Sequence, residues 1–126
     1  MATKIFRCNH CGNIITHLHK TAVPVMCCGQ KMEELVANTT DAATEKHVPA
    51  VEVNGRDVKV TVGSVEHPMV AEHFIQWILV ESKQGIQIKW LNAGEAPVQN
   101  FTLAEGDELV SVYEYCNLHG LWVWNK

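Results

Sequence analysis

Val48-Pro49-Ala50-Val51-Glu52-Val53-Asn54-Gly55-Arg56-Asp57-Val58-Lys59-Val60-Thr61-Val62 is two strand-like runs joined by a turn signal. Val58 to Val62 alternates strictly between apolar and polar residues, the period of a strand with one buried face. Asn54-Gly55 between two such runs is the strongest short hairpin signal. Pro49 pushes Val48 into extended backbone, so any helical turn arriving from upstream must stop there. Downstream, Phe74–Glu81, Ile86–Leu91, Val98–Leu103, Leu109–Tyr115 and Leu121–Trp124 are further strand candidates. Ser82-Lys83-Gln84-Gly85, Asn92-Ala93-Gly94-Glu95 and Ala104-Glu105-Gly106-Asp107 supply the turns between them. Short strands at this spacing predict a mainly β chain with an antiparallel β-sandwich. Trp77, Trp90, Trp122 and Trp124 fall in these strands and read as core aromatics.

Upstream of Val48 the character changes. Asn38-Thr39-Thr40-Asp41 reads as a linker, with Thr40 or Asp41 capping a short helical turn through Ala42-Ala43-Thr44-Glu45. Residues 1–36 contain Cys8, Cys11, Cys27 and Cys28, and carry four basic against two acidic side chains, a charge of +2. Residues 37–126 carry six basic against twelve acidic side chains, a charge of −6. The expected organisation is a small metal-bound module, 1–36, followed by an all-β domain, 37–126.

A net charge of −4 argues against a nucleic-acid partner. No apolar run approaches the roughly 20 residues that span a bilayer, and no apolar signal core precedes Cys8. The expectation is a cytoplasmic protein with reduced thiols, in which clustered cysteines hold metal.

Cys8-x2-Cys11-Gly12 followed by Cys27-Cys28-Gly29 offers four thiolates, a set that suits zinc or iron. Adjacent cysteines point apart in an extended chain, so both reach one ion only around a turn, which Gly29 eases. The other set is His47, His67, His73, Cys116 and His119. Five donors exceed the four that close a structural zinc shell, and a mixed imidazole–thiolate set suits a transition metal with a position left open for chemistry. All five are expected in or beside loops, which a sandwich gathers at its ends. Four neutral imidazoles and one thiolate around Fe(II) leave a formal charge of +1, attractive to a small anion. Lys46 would add positive charge, and Glu45 could fill the open position, although the pair also fits a solvated end of a helical turn. His10, His17 and His19 read as ordinary surface or hydrogen-bonded residues.

These motifs together carry a resemblance. Cys8-x2-Cys11 with Cys27-Cys28, Glu45-Lys46-His47-Val48-Pro49, His67-Pro68-Met69 with His73, and Cys116-Asn117-Leu118-His119-Gly120 stand in the order and spacing of the desulfoferrodoxins, the two-iron superoxide reductases. The resemblance covers essentially the whole chain. It implies a desulforedoxin-like N-terminal domain holding iron in four thiolates, and an immunoglobulin-like sandwich holding a second iron. In the second site His47, His67, His73 and His119 would be equatorial and Cys116 axial. The implied activity is one-electron reduction of superoxide to hydrogen peroxide. Lys46 would attract superoxide and Glu45 would cap the ferric site. A rubredoxin-like donor would restore Fe(II), and the assembly would be a homodimer. Two rival readings are a non-catalytic electron carrier of the blue-copper or rubredoxin kind and a zinc-ribbon adaptor.

Overall fold

The computed structural model describes residues 2–40, 42–63 and 67–126. The chain forms two compact units, Met1–Val36 and Ala37–Lys126.

The first unit is built from very short strands. β1 (Ile5–Arg7) lies between β2 (Ile14–Thr16) and β5 (Glu33–Glu34), while β3 (Met26–Cys27) pairs with β4 (Gln30–Lys31). Its buried apolar side chains among the described residues are Ile5, Cys8 and Met32. So small a core cannot outweigh chain entropy in a segment of this length, so a cross-linking ion is physically required.

The second unit opens with one helical turn, α1 (Thr44–His47). Ala43, not Thr40 or Asp41, stands at its N-cap and makes no side-chain capping bond. Asp41 lies outside the described residues. The turn starts late because the stop at Pro49 fixes its end: Val48 is already extended, with φ −68 and ψ 126. The Asn38 segment is no slack linker either. Its main-chain N–H donates to Leu121 O at 3.0 Å. Its side chain donates to Val123 O at 3.2 Å and accepts from Val123 N at 2.9 Å.

Seven strands follow: β6 (Pro49–Asn54), β7 (Asp57–Val62), β8 (Ile75–Ser82), β9 (Gly85–Trp90), β10 (Val98–Thr102), β11 (Leu109–Cys116) and β12 (Gly120–Asn125). They make two antiparallel sheets, ordered β10-β7-β6 and β12-β11-β8-β9. In the β6–β7 hairpin Asn54 pairs with Asp57, so Gly55 and Arg56 are the central turn residues. Gly55, with φ 62, takes the first central position, where a type II′ turn needs glycine. The alternation of β7 is realised: Val58, Val60 and Val62 are buried and Lys59 faces out. They pack with Ile75, Ile78, Val80, Phe101, Leu109 and Val112, and the same core surrounds Cys116. Truncating Phe101 here would cost about 3–5 kcal/mol.

One of the tryptophan expectations needs correction. Trp90 is 73% exposed, because β9 is an edge strand with no neighbour to cover it. Trp122 is buried as expected, and it stacks on His47. None of the helices among the described residues is long and apolar enough to cross a membrane.

Candidate metal centres

The sulfurs of Cys8, Cys11, Cys27 and Cys28 lie within 4.8 Å of one another. Two turns bring them together. In the first, Gly12 N donates to Cys8 O and Cys8 N to Asn13 O, both at 2.9 Å, curling the chain so that Cys8 and Cys11 face the same point. In the second, Cys27 pairs with Gln30, leaving Cys28 and Gly29 as the central residues of a two-residue hairpin. Both have positive φ, 53 and 71, the requirement of a type I′ turn. Glycine meets that requirement freely, whereas Cys28 does so against its Cβ. That is how adjacent cysteines converge. Without a cation, ionising Cys8 works against ionising Cys27 and Cys28. Cys8 is held down to about 6, first by the backbone N–H of Cys11. Cys28 is pushed up to about 12, first by its hydrogen bond with Cys11. A bound cation removes that conflict, so the donor set fits iron.

The second set also converges. Single donor atoms of His47, His67, His73, Cys116 and His119 lie within 4.8 Å of one another. His47 ends α1, and His67 is held beside Pro68. His73 sits on an isolated antiparallel bridge with Val70. Cys116 is the last residue of β11 and not a loop residue, because Cys116 pairs with Gly120 across a tight turn. His119 stands in that turn. Gly120 follows with φ 78, and a Cβ there would lie 3.2 Å from Thr40 Oγ1.

Tautomers are fixed by the backbone. His47 Nδ1 donates to Ala43 O at 2.8 Å, and His67 Nδ1 donates to Pro68 O at 2.6 Å. Each ring therefore carries its proton away from the cluster and presents a bare Nε2. Those two Nε2 atoms stand 3.1 Å apart, and His119 Nδ1 is 3.1 Å from His47 Nε2. Lone pairs at that separation repel unless a cation lies between them. His73 Nε2 is buried with no hydrogen-bond partner. His67 is held down to about 4, first by burial, and burial likewise lowers His47 and His73, which favours the neutral, ligating form of these three rings. Burial pushes the Cys116 thiol up, so its proton leaves only for a strong counter-charge. The residues fit one transition-metal ion. Four histidines are more than the two of a blue-copper site, which disfavours the copper-carrier reading.

Glu45 and Lys46 are exposed on α1, immediately before His47. Two further residues serve the cluster in roles the sequence did not reveal. Trp122 donates from Nε1 to His119 O at 3.0 Å, and Asn117 bonds the backbone on both sides of His73. His10, His17 and His19 lie outside both donor sets; His17 packs edge-on against Phe6, with centroids 4.9 Å apart.

Residues 39–125 match the family model described as Desulfoferrodoxin, and residues 2–35 match its N-terminal domain. The chain is 47% identical over 119 residues to a desulfoferrodoxin homolog of Methanothermobacter thermautotrophicus, covering 94% of this chain and 95% of that one. It is 44% identical to the desulfoferrodoxin of Nitratidesulfovibrio vulgaris, covering 94% and 93%. The solved superoxide reductase of Treponema pallidum is 38% identical with a TM-score of 0.83, covering 99% of this chain and 100% of that chain. The one-iron superoxide reductase of Giardia intestinalis matches 65% of this chain and 97% of its own, at 30% identity and a TM-score of 0.54. With matches from end to end and two donor sets suited to iron, Fe(Cys)4 and Fe(His)4(Cys), the chain belongs to the desulfoferrodoxin family.

Proposed function

We propose that this chain is a superoxide reductase: each superoxide takes up one electron and two protons and leaves as hydrogen peroxide, with no dioxygen released. The observation that carries this reading is the convergence of four histidines and one cysteine, with one donor atom of each within 4.8 Å of the others. Iron(II), held by His47, His67, His73, His119 and Cys116, would supply a single electron to a small anion bound there. The Cys116 thiolate, buried in the core, supplies electron density to that ion.

Lys46 gathers the substrate. Burial comes first in lowering the proton affinity of His47 and His73, and the Lys46 ammonium adds to it at both rings, so its charge reaches the cluster. A cation placed there draws in an anionic radical against a domain of net charge −6. Nζ of Lys46 is also a proton source, through water, for the departing peroxide. Glu45, on the same turn, would offer a carboxylate to an iron held there. An external rubredoxin-like donor returns the electron, and the assembly is a homodimer; both rest on family membership. The exposed sulfurs of Cys11 and Cys28 favour an electron-transfer role for the first unit.

The test is stoichiometric. The iron-loaded, reduced chain is given superoxide, and peroxide and dioxygen are measured together. One peroxide per superoxide without dioxygen is expected. Dioxygen equal to peroxide would make it a dismutase, and no superoxide consumption would leave only an electron carrier.

A further inference from the structure

We infer that Asn117 is a positioning residue for the iron centre, its side-chain amide fixing the backbone of His73 and tying it to the Cys116–His119 turn. Asn117 Nδ2 donates to Glu72 O at 2.9 Å, and Asn117 Oδ1 accepts from Phe74 N at 2.9 Å. The residues bonded are therefore the two that flank His73. The Asn117 main-chain N–H adds a third bond, to Phe74 O at 3.3 Å.

These bonds complete a set. His73 N donates to Val70 O, and His73 O accepts from Val70 N, both at 3.0 Å. The peptide before His73 is thus held at its oxygen by Asn117 and at its nitrogen by Val70. The peptide after it is held at its oxygen by Val70 and at its nitrogen by Asn117. With both peptide planes fixed, φ and ψ of His73 have no freedom left, and the direction of its Cβ is set.

That restraint has a particular task at this residue. His47 and His67 are each aimed by a ring nitrogen bonded to a carbonyl, Ala43 O and Pro68 O. Among the described residues no carbonyl holds the His73 ring in that way, and its Nε2 is buried without a partner. The backbone clamp is what aims it. Because Asn117 follows Cys116 directly and precedes His119 by two residues, the clamp also fixes distances between ligands from distant parts of the sequence. Groups that orient metal ligands typically contribute about 10–100-fold in metal affinity.

The inference rests on reading the His4Cys set as an iron centre, and the experiment separates the two. Full-length wild type, Asn117→Ala and Asn38→Gly are loaded with iron. Retention of each iron against a chelator, the thiolate-to-Fe(III) charge-transfer band and the ferric EPR linewidth are recorded. Asn38 is the matched control: its amide makes a similar two-bond clamp on β12, at a residue that carries no ligand, and glycine suits its φ of 64. Asn117→Ala should lose about ten-fold or more in iron retention at the His4Cys site, with a shifted band and a broadened signal. The Fe(Cys)4 spectrum should stay unchanged, and Asn38→Gly should match wild type at both irons. If Asn117→Ala does not fold, Asn117→Asp is measured in its place. It keeps the acceptor for Phe74 N and loses the donor to Glu72 O, and the same loss is expected. Wild-type retention and spectra in the Asn117 variant, or an equal loss in the Asn38 variant, would overturn the inference. Failure of wild type to hold iron at this site would instead sink the iron-centre reading.

Discussion

The indole of Trp122 stacks on the imidazole of His47, with centroids 4.9 Å apart and planes inclined by 25°. Its Nε1 also donates to the carbonyl of His119, so one buried side chain contacts two members of the donor set. Trp122→Phe should keep the stack and lose the hydrogen bond, lowering stability by about 1 kcal/mol. Trp122→Ala should cost about 3–5 kcal/mol and leave the imidazole of His47 loosely held. Thermal unfolding of both variants, read beside their iron content, checks this. Equal unfolding temperatures for Trp122→Ala and wild type would remove the argument.

Lys46 is exposed, and after burial and His119 its charge lowers the proton affinity of His73. Lys46→Ala should slow the second-order reaction with superoxide by about ten-fold at low salt and flatten its dependence on ionic strength, with iron content unchanged. Lys46→Arg should retain the salt dependence. Pulse radiolysis across a salt series decides the point: rates equal to wild type would deny Lys46 a steering role.

The histidines set an acid limit. His67 keeps its folded-state value near 4 against an ordinary 6.5, first because it is buried. In the metal-free protein the unfolded chain binds protons below about 6.5 that the folded chain refuses. Stability is therefore complete above that pH and is lost as pH falls toward 4. Metal binding to the folded protein persists through most of that window, because His67 keeps its neutral, ligating form until pH nears 4. The unfolding temperature of metal-free protein should decline from pH 7.5 to 4, while iron release should rise only toward the acid end. A flat stability profile across that range would contradict the burial of these rings.

Glu114 is fully buried on β11, and neither carboxylate oxygen has a hydrogen-bond partner. Burial raises its proton affinity well above the ordinary 4.5, so the folded state holds a proton that the unfolded chain releases as pH rises. The sign is opposite to that of the histidines: this group costs stability as pH climbs above about 4.5. Glu114→Met, similar in volume and without an unpaired polar group, should stabilise the protein by about 1–3 kcal/mol at pH 8. Chemical denaturation of both proteins at two pH values measures it. A destabilised methionine variant would mean that Glu114 has a partner in the folded protein.

The strands from Val58–Val62 to Leu121–Trp124 were legible because alternation records, residue by residue, which side chain faces the core. The same holds for the donor types: no other use accounts for Cys8-x2-Cys11 with Cys27-Cys28, or for four histidines and a cysteine in this order. The cap of α1 was misjudged because Pro49 fixes the end of that turn more firmly than any polar residue fixes its start. Trp90 was read as core, since hydrophobicity alone does not say whether a strand lies at an edge. By itself, then, the sequence determined the strands of the second unit, the two donor sets and the family. Only tertiary structure decided which nitrogen of His47 and of His67 is bare, that Trp122 underlies His47, and that Asn117 holds the backbone at His73 across 44 positions of chain. Those facts depend on contacts between segments distant in sequence, and local patterning, which encodes only the face a residue presents, carries no information about what meets it there.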